Sequence, residues 1–173
     1  MTSVFGLALM TLMPAWATTV LGGDARTNGL LLSARGLGSL IGAIMVASFG
    51  EAIARGRWNL LGSLVTPVVL VVFAQLHWLP ASLAALALAG WAFMVFFNTS
   101  NALVQMHVPD QLRGRVMGIY TLSFFGLMPV GALLAGTLAA HVGPAWTIAG
   151  DAVVLLGWVV FTRLRVPEIA ALR

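Results

Sequence analysis

There is no cysteine in this sequence and no lysine, and only 8% of its residues are charged. Each absence excludes something. Without cysteine there is no disulfide framework, no thiol chemistry and no thiolate metal site. A soluble domain carries about a quarter charged residues, so a chain this poor in charge cannot cover its surface in water. The formal net charge of +4 comes entirely from nine arginines against five acids. Those arginines fall as pairs between apolar runs and form no continuous basic face, which argues against nucleic acid as a partner. Enzyme signatures are missing as well: HExxH, GxSxG and a phosphate-binding loop are not found. The string Gly36-Leu37-Gly38 follows no strand and is not a dinucleotide loop. Three histidines, His77, His107 and His141, are too dispersed to make a metal centre. The sequence therefore predicts no enzyme, no cofactor and no metal.

What is present is long apolar sequence: 60% of the residues are hydrophobic. A spanning helix needs about 20 mostly apolar residues. Six runs meet or approach that length, at 4–21, 29–49, 58–79, 81–106, 117–140 and 145–160. They are too long and too evenly apolar for barrel strands, so the expected fold is an all-α membrane protein with six transmembrane helices. Ala15-Trp16-Ala17 resembles a signal-peptide cleavage site, but the first arginine is Arg26 and a basic leader segment is lacking. The first run is accordingly expected to span. Pro80 marks the junction of the third and fourth runs.

The arginines orient the bundle. Arg55 and Arg57 follow the second run, Arg113 and Arg115 the fourth, and Arg163, Arg165 and Arg173 the sixth. With six spans, seven of the nine lie on one side. The positive-inside rule makes that side, and both termini, cytoplasmic. Trp16, Trp58, Trp78, Trp146 and Trp158 fall near run ends, where an amphipathic ring suits the interface, and Trp91 is the mid-span exception.

Charged and polar residues inside the runs are candidates for function. Arg35 and Asp151 both lie roughly 8–10 Å from the outer ends of their runs at about 1.5 Å per residue, so an intramembrane pair is feasible in depth. The alternative is an Arg35 that snorkels outward or staples the bundle. Asn98, Asn101 and Gln105 share one face of the fourth run. That face reads either as a cavity wall on the substrate path, together with Arg35, or as a set of interhelical hydrogen bonds. Gly38 and Gly42 form a GxxxG pair, and Gly131 with Ala135 a second small-residue pair, for close helix approach. Gly126 and Pro129 make the fifth run the one to bend.

The segment 108–136, VPDQLRGRVMGIYTLSFFGLMPVGALLAG, resembles the loop and following helix in the carboxy-terminal half of major facilitator superfamily transporters, in their exporter branch. Gln105, Pro109-Asp110, Leu112-Arg113-Gly114-Arg115-Val116, Gly126, Pro129, Gly131 and Gly136 carry the match. Arg35-Gly36-Leu37-Gly38 and Arg55-Gly56-Arg57 resemble the eighth helix and the basic loop before the ninth. The resemblance implies a six-helix half, helices seven to twelve of twelve, forming a major-facilitator-type bundle. It further implies a secondary-active exporter of a small-molecule substrate in the inner membrane lipid bilayer, with the amino-terminal half or a second chain as partner. Arg55, Arg57, Asp110, Arg113 and Arg115 are then candidates for a cytoplasmic latch, and proton coupling is expected. A non-transporting membrane remnant or assembly subunit is the rival expectation.

Overall fold

The computed structural model describes residues 9–49 and 55–165. Among these the chain forms seven helical segments: α1 (Leu9–Thr19), α2 (Ala25–Phe49), α3 (Arg55–Phe73), α4 (Leu79–His107), α5 (Asp110–Phe125), α6 (Met128–Val142) and α7 (Pro144–Arg165). Five stretches are long and apolar enough to cross a bilayer: Ala25–Ser48, Arg55–Phe73, Leu79–His107, Asp110–Val142 and Pro144–Arg165. The protein is an all-α membrane protein. Residues 4–8 of the first apolar run, Glu51 and Arg173 lie outside the described residues.

Local chemistry sets the helix ends. Asp24 caps α2: its carboxylate accepts the Thr27 amide at 3.0 Å. That bond to the Thr27 N–H, joined by one from the Thr27 hydroxyl, holds the Asp24 carboxyl below its ordinary range. This cap starts the helix four residues before the apolar run at 29. The third run ends early: α3 stops at Phe73, and Gln75 and Leu76 close a tight turn onto Val72 and Phe73. Pro80 is therefore not the junction but sits in the first turn of α4, where a missing N–H costs nothing.

The arginine segment at 108–118 is helix rather than loop. Only Val108 and Pro109 separate α4 from α5. Val108 is extended, φ −98° and ψ 128°, as a residue before proline must be. Asp110 then opens α5 with a negative charge at the helix's positive end. The apolar run at 117–140 is divided at Gly126 and Leu127. Both residues keep right-handed helical angles, so the axis is interrupted rather than reversed. Pro129, in the first turn of α6, cannot donate to Phe125 and its ring displaces that carbonyl. The real reversal comes at Gly143, whose φ of +87° turns the chain from α6 into α7.

The packing is dominated by α4, which lies between α2 and α3. α2 and α4 run parallel: a Cβ on Gly38 would fall on the Ala87 carbonyl, and one on Gly42 would lie 2.8 Å from the Trp91 carbonyl. From the other side, a Cβ on Gly90 would fall on the Arg35 carbonyl. The Ser39 hydroxyl donates to the Gly90 carbonyl at 3.2 Å across this seam. α3 runs antiparallel to α4, with Gly62 against Ala92 and Phe96 and Arg55 against the sulfur of Met106. Gly131 and Ala135 are buried on α6, which packs on α1 and α7.

The buried cluster gathers Leu12, Met13 and Trp16 of α1, Leu70 and Phe73 of α3, Leu86 of α4 and Ile148 of α7. Trp16 belongs here and not at the membrane interface: it is fully buried and stacks on Phe73 with ring centroids 4.6 Å apart. Trp78, Trp146 and Trp158 are exposed. The mid-span Trp91 packs edge-on to Trp58 at 6.2 Å.

Candidate functional site

The candidate site is the face of α4 that meets Arg35 of α2 and the aromatic side chains of α5. On α4 it holds Phe93 and Phe97, one turn apart with nearly parallel rings whose centroids are 6.3 Å apart. α5 supplies Tyr120 and Phe124, again one turn apart. Phe124 stands edge-on to Phe97 at 4.9 Å, and Tyr120 lies 6.5 Å from the same ring. Helical i, i+4 spacing places each pair on one face, and the two pairs interlock. α2 supplies Arg35, whose guanidinium carbon stands 5.6 Å from the centre of the Phe93 ring.

The position of that guanidinium matters. Phe93 is the middle residue of α4, fourteen residues from Leu79 and fourteen from His107. At about 1.5 Å per residue that is about 21 Å from either end of α4, deep within the helix. Arginine at the centre of a spanning helix costs about 3 kcal/mol on insertion scales. A cation–π contact returns about 0.5–2 kcal/mol, so Phe93 alone does not offset the charge.

Arg35 and Asp151 are not brought together. The ion pair among the described residues is Asp110–Arg113, and α2 and α7 make no extensive contact with each other. Asp151 instead lines a small crevice with Leu9, Leu70 and Ile148. Lateral position, which decides whether two such groups meet, was not readable from the sequence.

The polar stripe of α4 divides in two. The Gln105 side-chain amide donates to Asn101 on the same helix, and Asn98 is half-buried on the same face. The hydrogen bonds across to α3 come from the opposite face, which sequence reasoning missed. The Asn59 amide donates to Ser100 at 2.6 Å and lies 3.3 Å from both the Thr99 hydroxyl and the Phe96 carbonyl. Asn59 is the one amide side chain of α3, and its isolation in an apolar run was the available signal. Such bonds are worth about 0.6 kcal/mol on average and up to about 1.7 in a membrane. Asn59→Ala should therefore lower stability by about 1–2 kcal/mol, while Asn98→Ala should change it by less than about 0.5 kcal/mol. Reversible unfolding in mixed micelles checks the difference, and equal losses would contradict it.

The five latch candidates gather around the joins of α3, α4 and α5. Asp110 pairs with Arg113 at 2.5 Å, one turn along its own helix and largely exposed. An exposed pair of this kind contributes about 0–1 kcal/mol. Arg57 and Arg115 are exposed at the same end of the bundle. No group of three metal-ligating side chains occurs among the described residues.

The described residues thus form a bundle of long apolar helices with an arginine and an aromatic cluster in its interior. Residues 2–173 match the family described as transmembrane secretion effector, and the chain belongs to that family, within the major facilitator superfamily. It is 31% identical over 115 residues to the multidrug efflux pump Tap of Mycolicibacterium fortuitum, covering 66% of this chain and 28% of that protein. It is 28% identical over 136 residues to the enterobactin exporter EntS of Salmonella choleraesuis (strain SC-B67), covering 78% and 33%. The Escherichia coli O1:K1 / APEC EntS is 27% identical over 121 residues, covering 70% and 29%. The chain thus spans about a third of the length of the curated relatives it matches. No solved structure matches it significantly. Membership makes this an inner-membrane, multi-pass protein of an exporter family.

Proposed function

We propose that the chain forms the carboxy-terminal half of a secondary-active exporter that moves a small solute out of the bacterial cytoplasm. The observation that carries this reading is an arginine deep inside a spanning helix, its guanidinium over Phe93 and beside the aromatic cluster that joins α4 to α5. A charge inside a spanning helix is costly to keep, and a substrate path is a reason to keep it. In this reading α2, α4 and α5 line the path together with an amino-terminal half, and the two halves rock about a midplane site. The interruption at Gly126 and Leu127 lets the α5 wall move relative to α6. Asn98, Asn101 and Gln105 continue the path from the midplane toward the arginine-bearing end, which faces the cytoplasm with both termini.

The test uses the native protein in inverted membrane vesicles with ethidium as the reporter. Replacing Asn98, Asn101 and Gln105 together by alanine should slow energised ethidium transport at least about tenfold at normal membrane abundance, a change of about 1.4 kcal/mol in transition-state free energy. Unchanged transport, or loss of abundance in place of transport, would assign the stripe to packing and favour the non-transporting reading.

A further inference from the structure

We propose that the last three turns of α7 bind an anionic phospholipid, with Arg165 on its phosphate and with Phe161 and Trp158 against the upper part of its chains. None of these residues belongs to the proposed transport path or to the latch candidates. Val154, Trp158, Phe161 and Arg165 stand at i, i+4, i+7 and i+11, the spacing of a single helix face. All four are exposed. The face runs about 16 Å at about 1.5 Å per residue, and over that length it turns from aliphatic to aromatic to cationic. A phospholipid has the same order: acyl chain, glycerol backbone, phosphate. Amphipathic rings suit the middle of that profile.

The three larger side chains are already in contact. The rings of Trp158 and Phe161 lie 5.9 Å apart, and the Arg165 guanidinium carbon stands 5.5 Å from the centre of the Phe161 ring. A ring contact places the cation without using its N–H donors, and Arg165 has no ion pair among the described residues. Its planar fork of donors matches a phosphate.

Charge selects the kind of lipid. α3 and α5 both run antiparallel to α4, and the reversal at Gly143 returns α7 to the direction of α4. The end of α7 therefore lies where α3 and α5 begin, with Arg55, Arg57, Arg113 and Arg115. Among the described residues Asp110 is the one acid at that end, and Arg113 takes it. A surface with this excess of positive charge favours an anionic headgroup over a zwitterionic one. Arg163 shares the end but not the site, since it points to the opposite side of α7 from the stripe. Glu168, three residues beyond Arg165, lies outside the described residues, and its carboxylate is the competing occupant.

Brominated acyl chains quench tryptophan on contact, which makes Trp158 the reporter. The native protein is reconstituted in phosphatidylcholine bilayers containing rising fractions of brominated phosphatidylglycerol or brominated phosphatidylcholine. The Trp158 signal is the difference from Trp158→Phe. Half-quenching should need at least about fivefold less brominated phosphatidylglycerol than brominated phosphatidylcholine. Arg165→Gln should bring the two lipids within about twofold, whereas Arg163→Gln, which removes the same charge from the same end, should keep most of the preference. Equal quenching by the two lipids in the unaltered protein overturns the proposal. So does a preference that survives Arg165→Gln, or one that both variants weaken alike, which is the mark of diffuse charge. A preference that emerges only in Glu168→Gln assigns Arg165 to the chain's own carboxylate and overturns it as well. Loss of the preference on adding soluble glycerol phosphate would make the ligand a free phosphate and not a lipid. If either Trp158→Phe or Arg165→Gln does not accumulate, the unaltered protein decides: added phosphatidylglycerol should raise its thermal midpoint in neutral detergent where phosphatidylcholine does not, and an equal response overturns the assignment.

Discussion

Replacing Gly38 by alanine is expected to destabilise the protein by about 3 kcal/mol, the upper end of what overpacking usually costs. The reason lies in what the new methyl would meet. A Cβ at Gly38 falls on the Ala87 carbonyl oxygen, inside contact distance, and that oxygen belongs to helix backbone. A side chain could rotate away, but a carbonyl in an α-helix moves only with its helix. α2 and α4 must therefore part along their length. In a bilayer this matters more than in water, since close packing, not apolar burial, holds helices together. Gly42→Ala should cost less, because its Cβ would lie 2.8 Å from the Trp91 carbonyl and a smaller shift relieves it. Gly118→Ala meets nothing within 4 Å and should stabilise α5 by about 0.5–1 kcal/mol by removing glycine's backbone freedom. Unfolding of the three variants in mixed micelles reads the series. A Gly38→Ala protein as stable as Gly118→Ala would mean that the α2–α4 seam is looser than its geometry implies.

The same seam explains what the sequence could and could not reveal. Length and apolar content predict spans well, because the bilayer imposes both. The Gly38 and Gly42 spacing was visible, but its partner was not. A glycine pair says that some helix approaches closely and does not say which one. That gap governed Arg35. Its depth suggested Asp151, yet the parallel packing of α2 on α4 turns Arg35 toward Phe93. Spanning helices are apolar on every side, so periodicity does not tell the protein face from the lipid face as it does in a soluble helix. Phe93 with Phe97 and Tyr120 with Phe124 were readable as two i, i+4 pairs, but nothing in one dimension put them together. Asn59 was legible only as an isolated amide in an apolar run, and its three acceptors on α4 needed the antiparallel register. Helix ends misread for a different reason. Pro80 and Asp110 act as starts, and a hydropathy boundary is not a capping boundary.

Trp16→Ala is the other large effect expected, a loss of about 3 kcal/mol. In a soluble core the same change costs about 3–5 kcal/mol, part of it transfer of the indole from water. In a membrane the unfolded helices already sit in lipid, so the transfer part shrinks and the cavity and lost dispersion remain. Here those terms are large. Trp16 is fully buried, stacks on Phe73 at 4.6 Å, and joins α1 to α3 within the buried cluster that also holds Leu86 and Ile148. Trp16→Phe separates the ring from its N–H. The indole nitrogen is buried with no hydrogen-bond partner among the described residues, so deleting it forfeits no bond. Phenylalanine keeps the stack and should stay within about 1.5 kcal/mol of the unaltered protein. Thermal unfolding in detergent compares the two variants directly. If Trp16→Phe proved as damaging as Trp16→Ala, the N–H would have to be engaged by a headgroup or another segment, and the interfacial role that its sequence position suggested would be restored.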